Sequence, residues 1–208
     1  MTRLILVRHL QTDLAGRFCG HSDPELNEQG RRQVPNLLKT LSEYAIQRVY
    51  ASDLRRAQQT AETVAKHFKA ELHVRSGLRE IDFGLWEGLS WNEIEVRDPI
   101  AANHWMGAYP DATAPEGEPI QQFQLRVRQE VDSLLREATS CTSAVVTHAG
   151  FMRAALTCLC EVSEQEAWSR TKEYGSVVAL DTIGLTRLKI HDLQGDPASA
   201  AAGEPTQL

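Results

Sequence analysis

No apolar stretch in these 208 residues approaches the ~18 needed to cross a bilayer. The chain enters an apolar, strand-like run at once, with no signal-peptide pattern. Basic excess is missing as well. Lys and Arg number 22 against 28 Asp and Glu, a formal charge of -6, which argues against a general nucleic-acid binder. An anion site must then be a local cluster of cations in an acidic protein. Cysteine is scarce: Cys19, Cys141, Cys158 and Cys160 are unevenly spaced and read as reduced thiols, not as a disulfide or zinc framework. No internal repeat is visible. The expectation is a cytoplasmic globular protein, most of it one domain with room for a sizeable core, and with neither membrane nor nucleic acid as partner. Oligomeric state, a dimer included, is not legible.

Short β-branched runs alternate with amphipathic helical stretches, the pattern of an α/β sheet with helices on both faces. Strands are expected at 3–8, 46–51, 71–74, 143–148, 176–181 and 184–190. The last two are separated by a very short turn around Thr182–Gly184 and should form a C-terminal antiparallel hairpin, so the sheet is mixed and mostly parallel. A helix should start at Asn27 as N-cap, run to about Tyr44 and kink at Pro35. A second follows Ser52-Asp53, with Leu54, Ala57, Ala61, Val64 and Phe68 at helical spacing. Further helices fall near 90–98, 120–138, 150–160 and 163–170. The stretch 99–119 carries Pro99, Pro110, Pro115 and Pro119 alongside Trp105, Met106 and Tyr109, and reads as an irregular, lid-like segment. The domain is set at 1–193, with the lid at about 89–119. Residues 194–208 read as a disordered tail.

Arg8-His9 ends the apolar run Leu4-Ile5-Leu6-Val7. His148 ends Ala144-Val145-Val146-Thr147 and precedes Ala149-Gly150. Two imidazoles at the carboxyl ends of two buried strands can meet at the mouth of an α/β sheet, where ligands of such sheets bind. Hydrolysing a phosphate monoester needs cations on the equatorial oxygens, an in-line nucleophile and a proton for the leaving oxygen. Three further elements could supply them: Ser52-Asp53-Leu54-Arg55-Arg56, where a strand meets a helix; Leu78-Arg79-Glu80 through Trp86-Glu87-Gly88, a carboxyl group among apolar neighbours; and Thr147-His148-Ala149-Gly150. Taken singly, each has a bland reading: a surface arginine, an acid beside a core tryptophan, a structural histidine. In an anion site His9 must be neutral to attack, a state that Arg8 and Arg56 favour by charge repulsion, while His148 beside a bound phosphate should hold its proton.

Together and in this order, the four elements resemble the histidine phosphatase superfamily, the phosphoglycerate mutase-like enzymes, over roughly residues 2–190. Arg8-His9-Leu10-Gln11-Thr12 is similar to the family's Arg-His-Gly-Glu-Thr. The segment 52–61 selects Arg56 over Arg55, and the segment 78–88 selects Glu80. The resemblance implies a mixed α/β fold with an inserted lid and no cofactor or metal. It further implies His9 as the nucleophile, Glu80 as proton donor, and Arg8, Arg56 and His148 around the phosphate. Thr12, Cys19, Gly20 and Ala149 are the expected additional phosphate or substrate contacts. The pattern departs at Leu10, which replaces a glycine, at Ala15, which replaces a phosphate-binding asparagine, and at Gly117-Glu118-Pro119.

Between Glu80 and Leu125 the basic residue Arg97 stands against nine acids. Such a lid should repel a second phosphate or carboxylate, favouring a phosphatase over a bisphosphoglycerate-dependent mutase and a leaving group of low charge. The α-ribazole phosphatase branch, which acts on a nucleotide-like phosphate, is the nearest resemblance. A member that binds a phosphorylated ligand without turnover is the third reading.

Overall fold

Alternate residues of the first strand face opposite layers. In β1 (Arg3–Arg8), Leu4 and Leu6 join one buried cluster, and Ile5 and Val7 join another, as the two-residue period of a strand requires. Burial on both faces is why this strand reads as a continuous apolar run. The computed structural model describes residues 2–108, 111–183 and 187–191. It adds β2 (Arg48–Ser52), β3 (Glu71–Arg75), β4 (Thr142–Thr147), β5 (Val177–Ile183) and β6 (Arg187–Ile190). The sheet order is β3-β2-β4-β1-β5-β6. β1 to β4 pair in parallel, β5 runs antiparallel to β1, and β6 antiparallel to β5. The expected mixed sheet and C-terminal antiparallel pair are present. The turn at Gly184 and the tail 194–208 lie outside the described residues.

Helices α1 (Glu28–Leu41) and α2 (Arg55–Phe68) cover the Ile5/Val7 face with Leu37, Leu41, Ala57, Ala61 and Val64. The other face holds α5 (Ile120–Glu137) and α6 (Ala149–Leu159), through Phe123, Val127, Val131, Leu134, Phe151 and Met152. Asn27 caps α1 by accepting from the Gly30 amide at 2.8 Å. The helix continues through Pro35, which is exposed, so the carbonyl that the proline leaves without a partner can be met by water.

The segment expected to be irregular is partly helical. After α3 (Trp91–Arg97), α4 spans Pro99–Ala108. Pro99 is its first residue, where the missing amide costs nothing, and the Asp98 carboxylate accepts from the Ala101 amide at 3.0 Å. Asp98-Pro99 is thus a helix start, read from proline content as a loop. Tyr109 and Pro110 lie outside the described residues. The short helix α7 (Glu164–Thr171) follows α6. No helix among the described residues is long and apolar enough to cross a membrane.

Phe123 is buried and Leu125, two residues on, is exposed. Phe123→Ala should lower the unfolding free energy by about 3–5 kcal/mol through the cavity it leaves. Leu125→Ala should change it by less than about 0.5 kcal/mol. Urea unfolding of both variants followed by circular dichroism checks the contrast.

Candidate active site

β1 and β4 are parallel neighbours with Arg8 opposite Thr147. Their next residues, His9 and His148, therefore leave the sheet at the same edge. The His9 amide donates to the Thr147 carbonyl at 2.9 Å, and the two imidazole centroids stand 5.1 Å apart. His9 Nδ1 is 2.7 Å from the Leu10 carbonyl, so that nitrogen carries the proton and Nε2 holds the free pair. Arg56 Nε–H donates to this Nε2 at 3.3 Å, which agrees with the same tautomer.

Arg56 sits in the first turn of α2 and is completely buried. Its remaining donors meet the carbonyls of Ser22 at 2.6 Å, Gly20 at 2.7 Å and Cys19 at 3.2 Å. Those carbonyls belong to a loop shaped from the other side by Glu87, whose carboxylate accepts from the amides of Gly20, His21, Ser22 and Phe83. Burial works to raise the Glu87 pKa, but these bonds outweigh it and hold the carboxyl below its usual range. Gly20 must be glycine, because a Cβ would collide with the Ile81 carbonyl.

Glu80 is buried beside the start of α6. Its carboxylate accepts from the Gly150 amide at 2.8 Å and from the Ile81 amide at 3.0 Å. A Cβ on Gly150 would overlap the same carboxylate, so glycine here makes room for the acid. Arg8 donates to the carbonyls of Thr171 and Lys172 and lies over the Tyr174 ring at 4.0 Å. Three buried nitrogens around this spot, Arg8 Nε and both ring nitrogens of His148, have no hydrogen-bond partner among the described residues.

A cleft of about 400 Å³ opens above these groups. Of the residues selected from sequence, Arg8, His9, Thr12, Cys19, Glu80 and Ala149 line it. Arg56 and His148 do not line it; they lie behind His9, in contact with its ring. Gly20 does not line the cleft: its amide is held by Glu87 and its carbonyl by Arg56, so it shapes the loop and offers no donor to a ligand. Burial pushes the Cys19 thiol up to about 11, leaving it protonated.

Burial, and then the charges of Arg56 and Arg8, hold the His9 pKa well below 6.5. Burial comes first for His148 too, followed by Arg56, His9 and Arg8. The sequence-based expectation for His9, a neutral ring, agrees with this, although desolvation leads and repulsion is second. His148 is likewise neutral here. A proton on it requires the countercharge of an anion.

A family model for the histidine phosphatase superfamily (branch 1) matches residues 4–188. This chain belongs to the histidine phosphatase superfamily. It is 38% identical over 150 residues to a bifunctional protein of Mycobacterium tuberculosis, across 71% of this chain but 41% of that protein, so the match spans less than half of that relative. Phosphoserine phosphatase 1 of Hydrogenobacter thermophilus is 30% identical over 171 residues, 81% of each chain. Among solved structures, the alpha-ribazole phosphatase of Shigella flexneri superimposes with a TM-score of 0.80 at 26% identity, covering 92% of this chain and 95% of that one.

In this histidine phosphatase superfamily member the acids of 80–125 do not give the cleft their sign. Glu87 is held by loop amides. Glu93 pairs with Arg17 at 2.6 Å and completes the cap of α3. Glu118 pairs with Arg126 at 2.7 Å, and Asp98 caps α4. Glu80 is the one acid among the described residues lining the cleft, against Arg8, Arg17 and Arg153. The expectation of a low-charge leaving group, drawn from lid composition, loses its basis, because composition does not say which carboxylates are already neutralised. Arg17, Phe18, Arg153, Trp168 and Tyr174 also line the cleft and were not singled out in the sequence. Arg153 had a signal, since it lies one helical turn after Gly150. Tyr174 had none.

The two depressed histidines set an acid limit. The unfolded chain protonates them near pH 6.5 while the folded one resists, so stability should fall as the pH drops through about 6.5. Urea midpoints measured from pH 8 to pH 5 should decline at the acid end, and the decline should be shallower in His148→Asn.

Proposed function

We propose that this protein is a metal-independent phosphomonoesterase that works through a phosphohistidine on His9 and acts on a small phosphorylated metabolite. The observation that carries this reading is the convergence of His9 Nε2, buried Arg56 and Glu80 at one sheet edge, beside three unpartnered nitrogens of Arg8 and His148. A phosphoryl group placed there would meet donors from Arg8 and His148 at its oxygens, with the charge of Arg56 held behind His9, in a site whose low dielectric strengthens each contact.

In the first step the free pair of His9 Nε2 attacks phosphorus as the bond to the leaving oxygen breaks. That oxygen keeps the bonding pair and takes a proton from the Glu80 carboxyl. In the second step the Glu80 carboxylate removes a proton from water. The water oxygen attacks phosphorus, the P–N bond breaks, and inorganic phosphate leaves with His9 neutral again. The Leu10 carbonyl holds the Nδ1 proton throughout and keeps Nε2 as the attacking atom.

Two of the three departures from the family pattern, Leu10 and Ala15, do not oppose turnover. The Leu10 side chain is fully buried within the core on the Ile5/Val7 face, and its amide donates to Thr60. Ala15 is exposed and does not line the cleft. A bisphosphoglycerate mutase would need cations for a second phosphoryl group and a carboxylate together. Beyond the phosphate clamp the lining residues offer Arg17, already tied to Glu93, and Arg153. Hydrolysis is therefore preferred to transfer. A flat, nucleotide-like leaving group such as α-ribazole, named for the Shigella relative, would need an open ring face. Trp105 instead packs edge-on against Trp86 at 5.1 Å and against Phe18, and the cleft-lining rings of Tyr174 and Trp168 carry the guanidiniums of Arg8 and Arg153.

Turnover of p-nitrophenyl phosphate tests the mechanism. His9→Ala should abolish it, and Glu80→Gln should lower kcat by about 10²–10⁴-fold, the usual contribution of a positioned acid. A His9→Ala rate equal to wild type would sink the proposal. Gly150→Ala, which forces Glu80 aside, should lower kcat by at least about tenfold with the fold retained by circular dichroism.

A further inference from the structure

The groups around His9 account for the phosphoryl group, and Arg153, which no carboxylate among the described residues pairs, stands on the wall of the cleft. Arg153 lies on α6, four residues beyond Ala149 and therefore about 6 Å along the helix from it. Its Nε donates back to the Ala149 carbonyl at 3.3 Å, which turns the guanidinium towards the helix start, where Glu80 is held. The Trp168 ring supports it from the other side at 4.7 Å. Arg17, the neighbouring cation, is already engaged by Glu93 and the Gly88 carbonyl.

Arg153 lines two spaces at once: the 400 Å³ cleft and an adjoining cavity of about 110 Å³, walled largely by apolar groups including Phe83, Trp105 and Phe123. Gly150, Arg153, Ala154 and Thr157 line that cavity from a single face of α6. Glu80 hydrogen-bonds the first residue of this face. A leaving group that takes its proton from Glu80 therefore lies beside this face, within reach of Arg153. Arg153 and Arg8 repel each other across the cleft: burial first, and Arg153 as a smaller contribution, hold Arg8 below the usual arginine range. Arg8 and Arg153 face the cleft with Glu80 as its sole lining acid among the described residues, Glu164 lining the adjoining cavity alone, and so favour a ligand with negative charge at both ends.

We propose that Arg153 is a specificity-determining residue that binds a carboxylate on the leaving group, so that the preferred substrates are phosphate esters of small hydroxy acids. This rests on the phosphomonoesterase reading above and names the substrate class of that same site. A guanidinium fixed by a carbonyl and a tryptophan loses little freedom on binding. A carboxylate gives it a charge-assisted partner that a neutral alcohol cannot.

Two matched pairs of probes isolate the carboxylate: phosphoserine against phosphoethanolamine, and 3-phosphoglycerate against glycerol 3-phosphate. Wild type should hydrolyse the carboxylated member with the higher kcat/KM in at least one pair, by about 10- to 100-fold, as loss of a charged hydrogen bond implies. Arg153→Gln should erase that preference, chiefly through KM, and leave p-nitrophenyl phosphate turnover within about twofold. Trp168→Ala, which removes the support and not the charge, should reduce the preference partway. Absence of preference in both pairs overturns the proposal, as does an Arg153→Gln variant that loses p-nitrophenyl phosphate equally, since Arg153 would then serve the phosphoryl group. A wild type inactive on p-nitrophenyl phosphate as well would instead count against the phosphatase reading itself.

Discussion

The site depends on one buried charge. Arg56 is withdrawn entirely from water, and a guanidinium in that position is costly unless its donors are met. Three carbonyls of the 19–22 loop and the Nε2 of His9 meet them. The loop can present its carbonyls because Glu87 takes its amides from the opposite side, and because Gly20 leaves room for the Ile81 carbonyl. The loop, the helix start and the histidine therefore share a single network, and removing a part leaves a buried polar group without a partner elsewhere in it.

That network also sets the charge state of the pocket. Burial and two guanidiniums keep both imidazoles neutral, so the site holds a lone pair at His9 and unpartnered nitrogens at His148 and Arg8. An arriving dianion offers a countercharge to Arg8 and Arg56 and favours a proton on His148. The same groups thus keep the nucleophile active and attract its substrate. Arg153 extends the logic along α6 to the part of the substrate that leaves.

Much of this was legible in the chain. β1 and β4 are apolar because both faces are covered. Asn27 and the Ser52-Asp53 junction mark where helices start, and the resemblance of the motifs to the histidine phosphatase pattern selected Arg56 over Arg55 and Glu80 among the acids. What misled was composition. Prolines made 99–119 read as irregular, although Pro99 after Asp98 opens a helix. Nine acids suggested a repulsive lid, although Glu93, Glu118 and Glu87 each have a partner that takes up their charge. Gly20, expected from the resemblance as a phosphate or substrate contact, has its amide held by Glu87.

Alone, the sequence determined the alternation of strands and helices, the two apolar faces of each central strand and the residue types that end those strands. These follow from the two-residue and 3.6-residue periods and from capping, which act over a few residues. Tertiary structure decided which charges survive in the cleft. Neutralisation joins residues far apart in the chain, as Arg17 meets Glu93 and Arg126 meets Glu118, and a charge counted along the chain has no sign at the site until its partner is known. His9 and His148 meet for the same reason: the in-register pairing of β1 with β4, not proximity in sequence, brings their rings together.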